Sequence, residues 1–151
     1  MVTAAGLSLP AAVTELLLAH ARRELPNEAC GILSGSAAEG LATTFHPARN
    51  AEASPLRYSV HSEDLVRITY AIDDAGEDLV AIFHSHTRSP AVPSPTDRRA
   101  AMYPDAIYLL VSLADSEVPP SRSLRAWRIR DGAATEVPLT LPQGGRVGCR
   151  P

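Results

Sequence analysis

The chain has no lysine; all 14 of its basic residues are arginine. That bias reads as a mark of nucleotide composition and carries no mechanism of its own. The net charge of −3, with both signs interspersed, offers no basic surface for nucleic acid or an anionic membrane. Cysteine is scarce as well. The 2 present, Cys30 and Cys149, do not make a disulfide framework in a chain of this size, and a reducing cytoplasm is the expected compartment. No apolar run approaches the roughly 20 residues of a membrane span. The stretch LSLPAAVTELLLAHA is apolar but lacks the positive flank of a signal peptide and carries Glu15 in its middle. Internal repeats are absent, and nothing reads as a linker before the Gly- and Arg-rich end, 142–151, which is expected to be a disordered tail. Residues 1–141 therefore read as a single domain, long enough to bury about two-thirds of its unfolded surface.

What is present is alternation of helix and strand signals. Val13, Leu16, Leu17 and Ala21 repeat at helical spacing after Ser8 and Pro10, and Pro26 closes that helix near Leu25. Short strands are predicted from Ala29 to Leu33, Leu41 to His46 and Arg57 to Val60. Ser62 opens a second helix with Leu65, Ile68 and Ile72 facing inward and Gly76 at its end. Asp78 to His86 and Ala106 to Leu113 are apolar without alternation, the pattern of strands buried on both faces. A short helix is expected over Thr96–Met102. Leu124 to Arg130 alternates, and Asp131-Gly132 is a hairpin turn into a strand over Ala133–Leu141. The fold class is α/β (α+β), with a central mixed β-sheet flanked by helices.

The chemistry is concentrated in HSHTRSPAVPSPTD. Strand alternation aims His84 and His86 at one face with Ser85 turned away, and a proline-stiffened loop can return the Asp97 carboxylate to them. Two imidazole nitrogens, one carboxylate oxygen and a position left for water make the donor set of a catalytic zinc, which renders hydroxide available near neutral pH. The plainer reading of the same residues is a strand end followed by a capped helix, with Ser94 as the cap, Pro95 at the first helical position and Asp97 at the third. The two readings are compatible.

The spacing His84-x-His86, seven residues, Ser94-x-x-Asp97, with Glu28 upstream in PNEACGIL, resembles the motif of the JAMM (MPN+) metallopeptidases. The resemblance extends from about Ser8 to Leu141, through AHARRELPNEACGIL, RNAEASPLRY and PDAIYLLVSL. It implies a cytidine-deaminase-like domain holding one Zn2+ ion through His84, His86 and Asp97. It further implies that Glu28 is the general base, and that Ser94 donates to the oxyanion. The Ser94 roles of cap and donor compete for one hydroxyl. Within the family, the bacterial branch that these segments resemble acts on a small ubiquitin-like (β-grasp) sulfur-carrier protein with a Gly-Gly tail. It hydrolyses the bond after the second glycine, releasing cysteine. Two alternatives stay open: a general deconjugase of lysine isopeptides, and a non-catalytic binding scaffold. A zinc deaminase is disfavoured because its His-x-Glu and Pro-Cys-x-x-Cys spacing is missing.

Other residues take plainer readings. Cys30 and Trp127 read as core. His20, His46 and His61 read as solvated or locally bonded, Asn50 and Ser54 as possible braces of the site, and Arg88 and Arg98 as exposed neighbours able to meet a substrate carboxylate.

Overall fold

The structure, a computed structural model, describes residues 5–114 and 123–141. The chain order is β1 (Leu7–Ser8), α1 (Ala11–Arg23), β2 (Cys30–Ser36), β3 (Leu41–Ala48), α2 (Ser62–Asp74), β4 (Asp78–His86), α3 (Pro95–Ala100), β5 (Ile107–Ser112), β6 (Leu124–Arg130), β7 (Ala133–Val137) and β8 (Leu139–Thr140). Among the described residues the strands form one mixed sheet in the order β7-β6-β5-β4-β2-β3-β1-β8. This is the α/β architecture expected. The stretch 142–151 lies outside the described residues, as does Cys149.

β4 runs through the middle of the sheet, antiparallel to β2 and parallel to β5. Val80 sits at a register shift against β2, and from Ala81 on the side chains alternate between two cores. Val80, Ala81 and Phe83 join Val13, Leu17 and Ala21 of α1, whereas Ile82 joins Ile32, Ile68, Ile72, Leu110 and Trp127 beneath α2. Burial on both faces explains the unbroken apolar run. The sheet's two edge strands, β7 and β8, are separated in sequence only by Pro138, whose carbonyl accepts the Leu7 N–H at 3.0 Å. The sheet therefore curls until its edges meet. Leu7 and Leu9 are buried in the α1-side core, and Val137, Leu139 and Leu141 pack against it.

Several expectations shift. Ser8 belongs to β1, and Pro10 is the residue that precedes α1, with no side-chain cap. Leu16 is 57 % exposed, and His20 occupies the buried stripe in its stead. The residue capping α2 is His61, which accepts the Glu63 N–H at 3.2 Å, rather than Ser62. The segment 57–60 is not a strand; only Asn50 and Val60 bridge. Asn50 takes over the local pairing, its Oδ1 accepting the Glu52 and Ser59 N–H groups and its Nδ2 donating to the Arg57 carbonyl. Pro138, which has no N–H, splits the last strand into β7 and β8. The hairpin turn is as read, with φ of 52° at Asp131 and 77° at Gly132.

Candidate metal centre

The register of β4 decides what converges. His84 lies opposite Cys30 on β2, so both side chains point to the α2 side of the sheet; His86 follows on that same side. Extending the pairing by two residues puts Glu28 opposite His86. Ser85 points to the other face, where its Oγ accepts the Ala29 N–H at 2.8 Å and locks the approach to β2. Gly31 lets β2 and β3 come close at this point: a Cβ there would stand 2.6 Å from both the His46 carbonyl and the Phe45 ring.

The return of Asp97 is equally determined. Ser94 caps α3, accepting the Asp97 N–H at 3.0 Å through Oγ, and the Asp97 carboxylate accepts the Ser94 N–H at 2.9 Å. This capping box fixes the Asp97 rotamer. It also removes the competition foreseen for Ser94: its oxygen accepts, so its single proton remains free to donate. The loop before it is pinned at successive carbonyls. Ser112 Oγ donates to Ser89 O at 2.7 Å, His86 Nδ1 to Pro90 O at 2.8 Å and Trp127 Nε1 to Ala91 O at 3.0 Å.

The outcome is a buried trio. His84 Nε2 and His86 Nε2 are 3.3 Å apart, and Asp97 Oδ2 lies 3.2 Å from the first and 2.9 Å from the second. All three residues are less than 9 % exposed. Because the Pro90 carbonyl can only accept, the neutral His86 ring carries its proton on Nδ1 and turns the Nε2 lone pair towards Asp97. Lone pairs and an anion facing one another away from water call for a cation between them. A tetrahedral ion with bonds of about 2.0–2.1 Å keeps its ligand atoms about 3.3 Å apart, close to the spacings found here. The residues fit a divalent ion of the zinc type.

The electrostatics agree. Burial opposes charging of His86, but the Asp97 carboxylate and the Pro90 carbonyl raise its pKa above the ordinary imidazole value. Burial lowers that of His84. Burial also opposes ionisation of Asp97, yet the two histidines hold its carboxyl well below the usual range. Glu28 is 4 % exposed, and its Oε1 has no partner among the described residues. Burial, opposed by His86 and assisted by Asp97, pushes its pKa up to about 7.

The prokaryotic homologs of the JAB domain form a family whose pattern matches residues 10–130, a span that includes every one of these side chains. The chain belongs to that family. It is 42 % identical over 135 residues to the CysO-cysteine peptidase of Mycobacterium tuberculosis, covering 89 % of this chain and 90 % of that one. It is 40 % identical over 115 residues to the desampylase of Haloferax volcanii, covering 73 % and 83 %. A Desulfitobacterium hafniense protein solved in solution superposes with a TM-score of 0.81 at 31 % identity, over 89 % of this chain and 92 % of that one. The family expected from the motif is thus the family found.

The secondary readings divide. Asn50 and Ser54 do brace the site: Asn50 Nδ2 donates to the Glu28 carbonyl at 3.0 Å, and the Glu28 N–H donates to Ser54 O at 2.8 Å. Cys30 is a fully buried free thiol that burial pushes up to about 12, too high for a nucleophile. His20 is buried rather than solvated, bonded to the Cys30 carbonyl at 3.0 Å. Arg98 donates to the Pro93 carbonyl at 3.4 Å. Sequence reasoning missed Tyr58, whose ring stacks on His84 with centroids 4.1 Å apart and planes at 17°. No periodic signal marks it, because it sits in an irregular loop.

Proposed function

We infer that this member of the JAB family is a metal-dependent peptidase acting on conjugates of a small ubiquitin-like sulfur-carrier protein. The observation that carries the reading is the buried His84–His86–Asp97 donor trio with the Glu28 carboxyl, its Oε1 unpartnered among the described residues, on the same face. Similarity to the CysO-cysteine peptidase over nearly the whole chain supports the substrate class. In finer terms, the ion is zinc, the bond cleaved follows the carrier's C-terminal Gly-Gly, the product is free cysteine, and the compartment is the cytoplasm. Among the described residues no helix is long and apolar enough to cross a membrane.

His84, His86 and Asp97 would hold a divalent cation, which when bound would supply Lewis acidity for the hydrolysis. The chain's own groups do the rest. Glu28, buried on the same face with Oε1 open, removes a proton from the attacking water and returns it to the departing amine. The free Ser94 proton is donated to the oxyanion of the tetrahedral intermediate. His86, held by Pro90, keeps its Nε2 turned towards Asp97, where it would serve as a ligand.

The test is hydrolysis of a carrier ending in Gly-Gly-Cys by zinc-loaded protein. Release of cysteine together with the carrier ending in Gly-Gly, followed by mass spectrometry, is the expected result; an intact adduct overturns the reading. A second reading, cleavage of lysine isopeptides, is favoured by the likeness to a desampylase. Faster turnover of an isopeptide-linked carrier than of the cysteine adduct would establish it in place of the first.

A further inference from the structure

His84 and His86 are oriented by different means. His86 is held in plane by its Nδ1 bond to the Pro90 carbonyl, the usual device for a ligating imidazole. His84 has no such bond: among the described residues its Nδ1 is buried without a hydrogen-bond partner, in a residue that is 1 % exposed. Something else must fix the ring. Tyr58 lies flat on it, 4.1 Å between centroids and 17° between planes, whereas the His86 ring meets His84 tilted at 59°. A turn of His84 about its ring axis would drive an imidazole edge into the Tyr58 face.

The loop that carries Tyr58 is itself tied to the site. Asn50 joins the Glu28 carbonyl to the Arg57 carbonyl, both at 3.0 Å, and receives the Ser59 N–H. Ser54 O accepts the Glu28 N–H at 2.8 Å, and Pro55 O accepts the Thr87 hydroxyl at 3.0 Å, one residue past His86. Val60 and Tyr58 pack on the α2-side core. One irregular segment therefore holds the backbone of Glu28, the residue after the second histidine, and the face of the first.

We propose that Tyr58 is a positioning residue for the candidate metal ligand His84, its stacked ring replacing the hydrogen bond that the imidazole lacks, on a loop that sets Glu28 and the donor trio as one unit. The inference rests on the metal-centre reading. Aromaticity at position 58 matters, and the hydroxyl does not.

The test compares the wild type with Tyr58→Phe and Tyr58→Leu. The readouts are zinc affinity by chelator competition, the visible spectrum of the cobalt-substituted protein, and the thermal midpoint without metal. Tyr58→Phe is expected to match the wild type within about twofold in affinity and to keep the cobalt bands. Tyr58→Leu is expected to lose on the order of 10–100-fold in affinity, as when other supports of ligating residues are removed, and to shift those bands. Tyr58→Met, of similar bulk but flexible, replaces the leucine variant if that one does not fold. Wild-type zinc affinity and cobalt spectrum in a non-aromatic variant overturn the role of Tyr58 alone, as does a large loss in Tyr58→Phe. A wild type that binds neither ion overturns the metal centre and this role with it.

Discussion

At the two ends of β4 lie two polar clusters built from similar residues. At the start, Ser34, Thr43, His46 and Glu77 form a closed network. Ser34 Oγ donates to Glu77 at 2.6 Å and receives His46 Nε2 at 2.8 Å, and Thr43 Oγ1 donates to the second Glu77 oxygen at 2.9 Å. Donation by the Ser34 hydroxyl leads the causes that lower the Glu77 pKa. At the far end Glu28 has an orphan oxygen and a pKa raised to about 7, and three electron-rich atoms crowd together. Both clusters contain a histidine, a serine and a carboxylate; only one is left unsatisfied. Satisfied polar groups hold strands together, while groups denied partners are poised to bind or to exchange protons. Breaking each cluster in turn should separate these roles.

The largest effect belongs to Asp97→Ala. It removes a donor from the trio and the partner of the Ser94 N–H, so bound zinc and hydrolysis should both vanish, as checked by elemental analysis and an adduct assay. Next comes Glu28→Gln, which leaves the trio intact. Zinc should remain at one ion per chain while turnover falls on the order of 10²–10⁴-fold, the usual contribution of a positioned base. The pH profile of the wild type sharpens this. The base acts as a carboxylate, so kcat/KM should rise with pH as Glu28 ionises. A bound cation pulls that ionisation down, so the acidic limb should lie below about 7. An acidic limb that persists unchanged in the residual activity of Glu28→Gln would mean that Glu28 is not the titrating base. Ser94→Ala follows in size. Loss of an oxyanion donor costs on the order of 10²-fold in rate, and loss of the cap about 1 kcal/mol of stability. A rate unchanged alongside a lowered melting temperature would leave Ser94 as a cap only.

The trio was legible because local rules place it. Alternation aims His84 and His86 together, and the Ser-Pro-Thr-Asp signature dictates the cap that returns Asp97. Glu28 required the motif, since nothing local distinguishes an acid at a strand start. The missed pieces are nonlocal or irregular. β1 is two residues long and exists only because β3 and β8 flank it. The expected strand over 57–60 is displaced by the Asn50 side chain, and the stacking of Tyr58 on His84 joins a loop to a strand across 26 positions. Closure of the sheet at Pro138 follows from pairing order, which periodicity does not encode.

The smallest expected effect tests the comparison most directly, because it differs in sign between the clusters. Glu28 has a folded pKa raised above its unfolded value, so in metal-free protein its ionisation opposes folding: stability is lost as pH rises from 4.5 through about 7. Glu77 is the reverse. Its depressed pKa contributes stability above the unfolded value, which is lost as pH falls through the folded one. At pH 8, then, metal-free Glu28→Gln should be more stable than the wild type, by on the order of 1 kcal/mol or more. Glu77→Gln should be less stable, by about 0.5 kcal/mol for a half-buried carboxylate, and should hydrolyse the adduct at the wild-type rate. Urea titrations of the three chelator-treated proteins measure both shifts. Destabilisation by both substitutions would show that the two ends of β4 are satisfied alike, and that the Glu28 carboxyl is held for structure rather than for proton transfer.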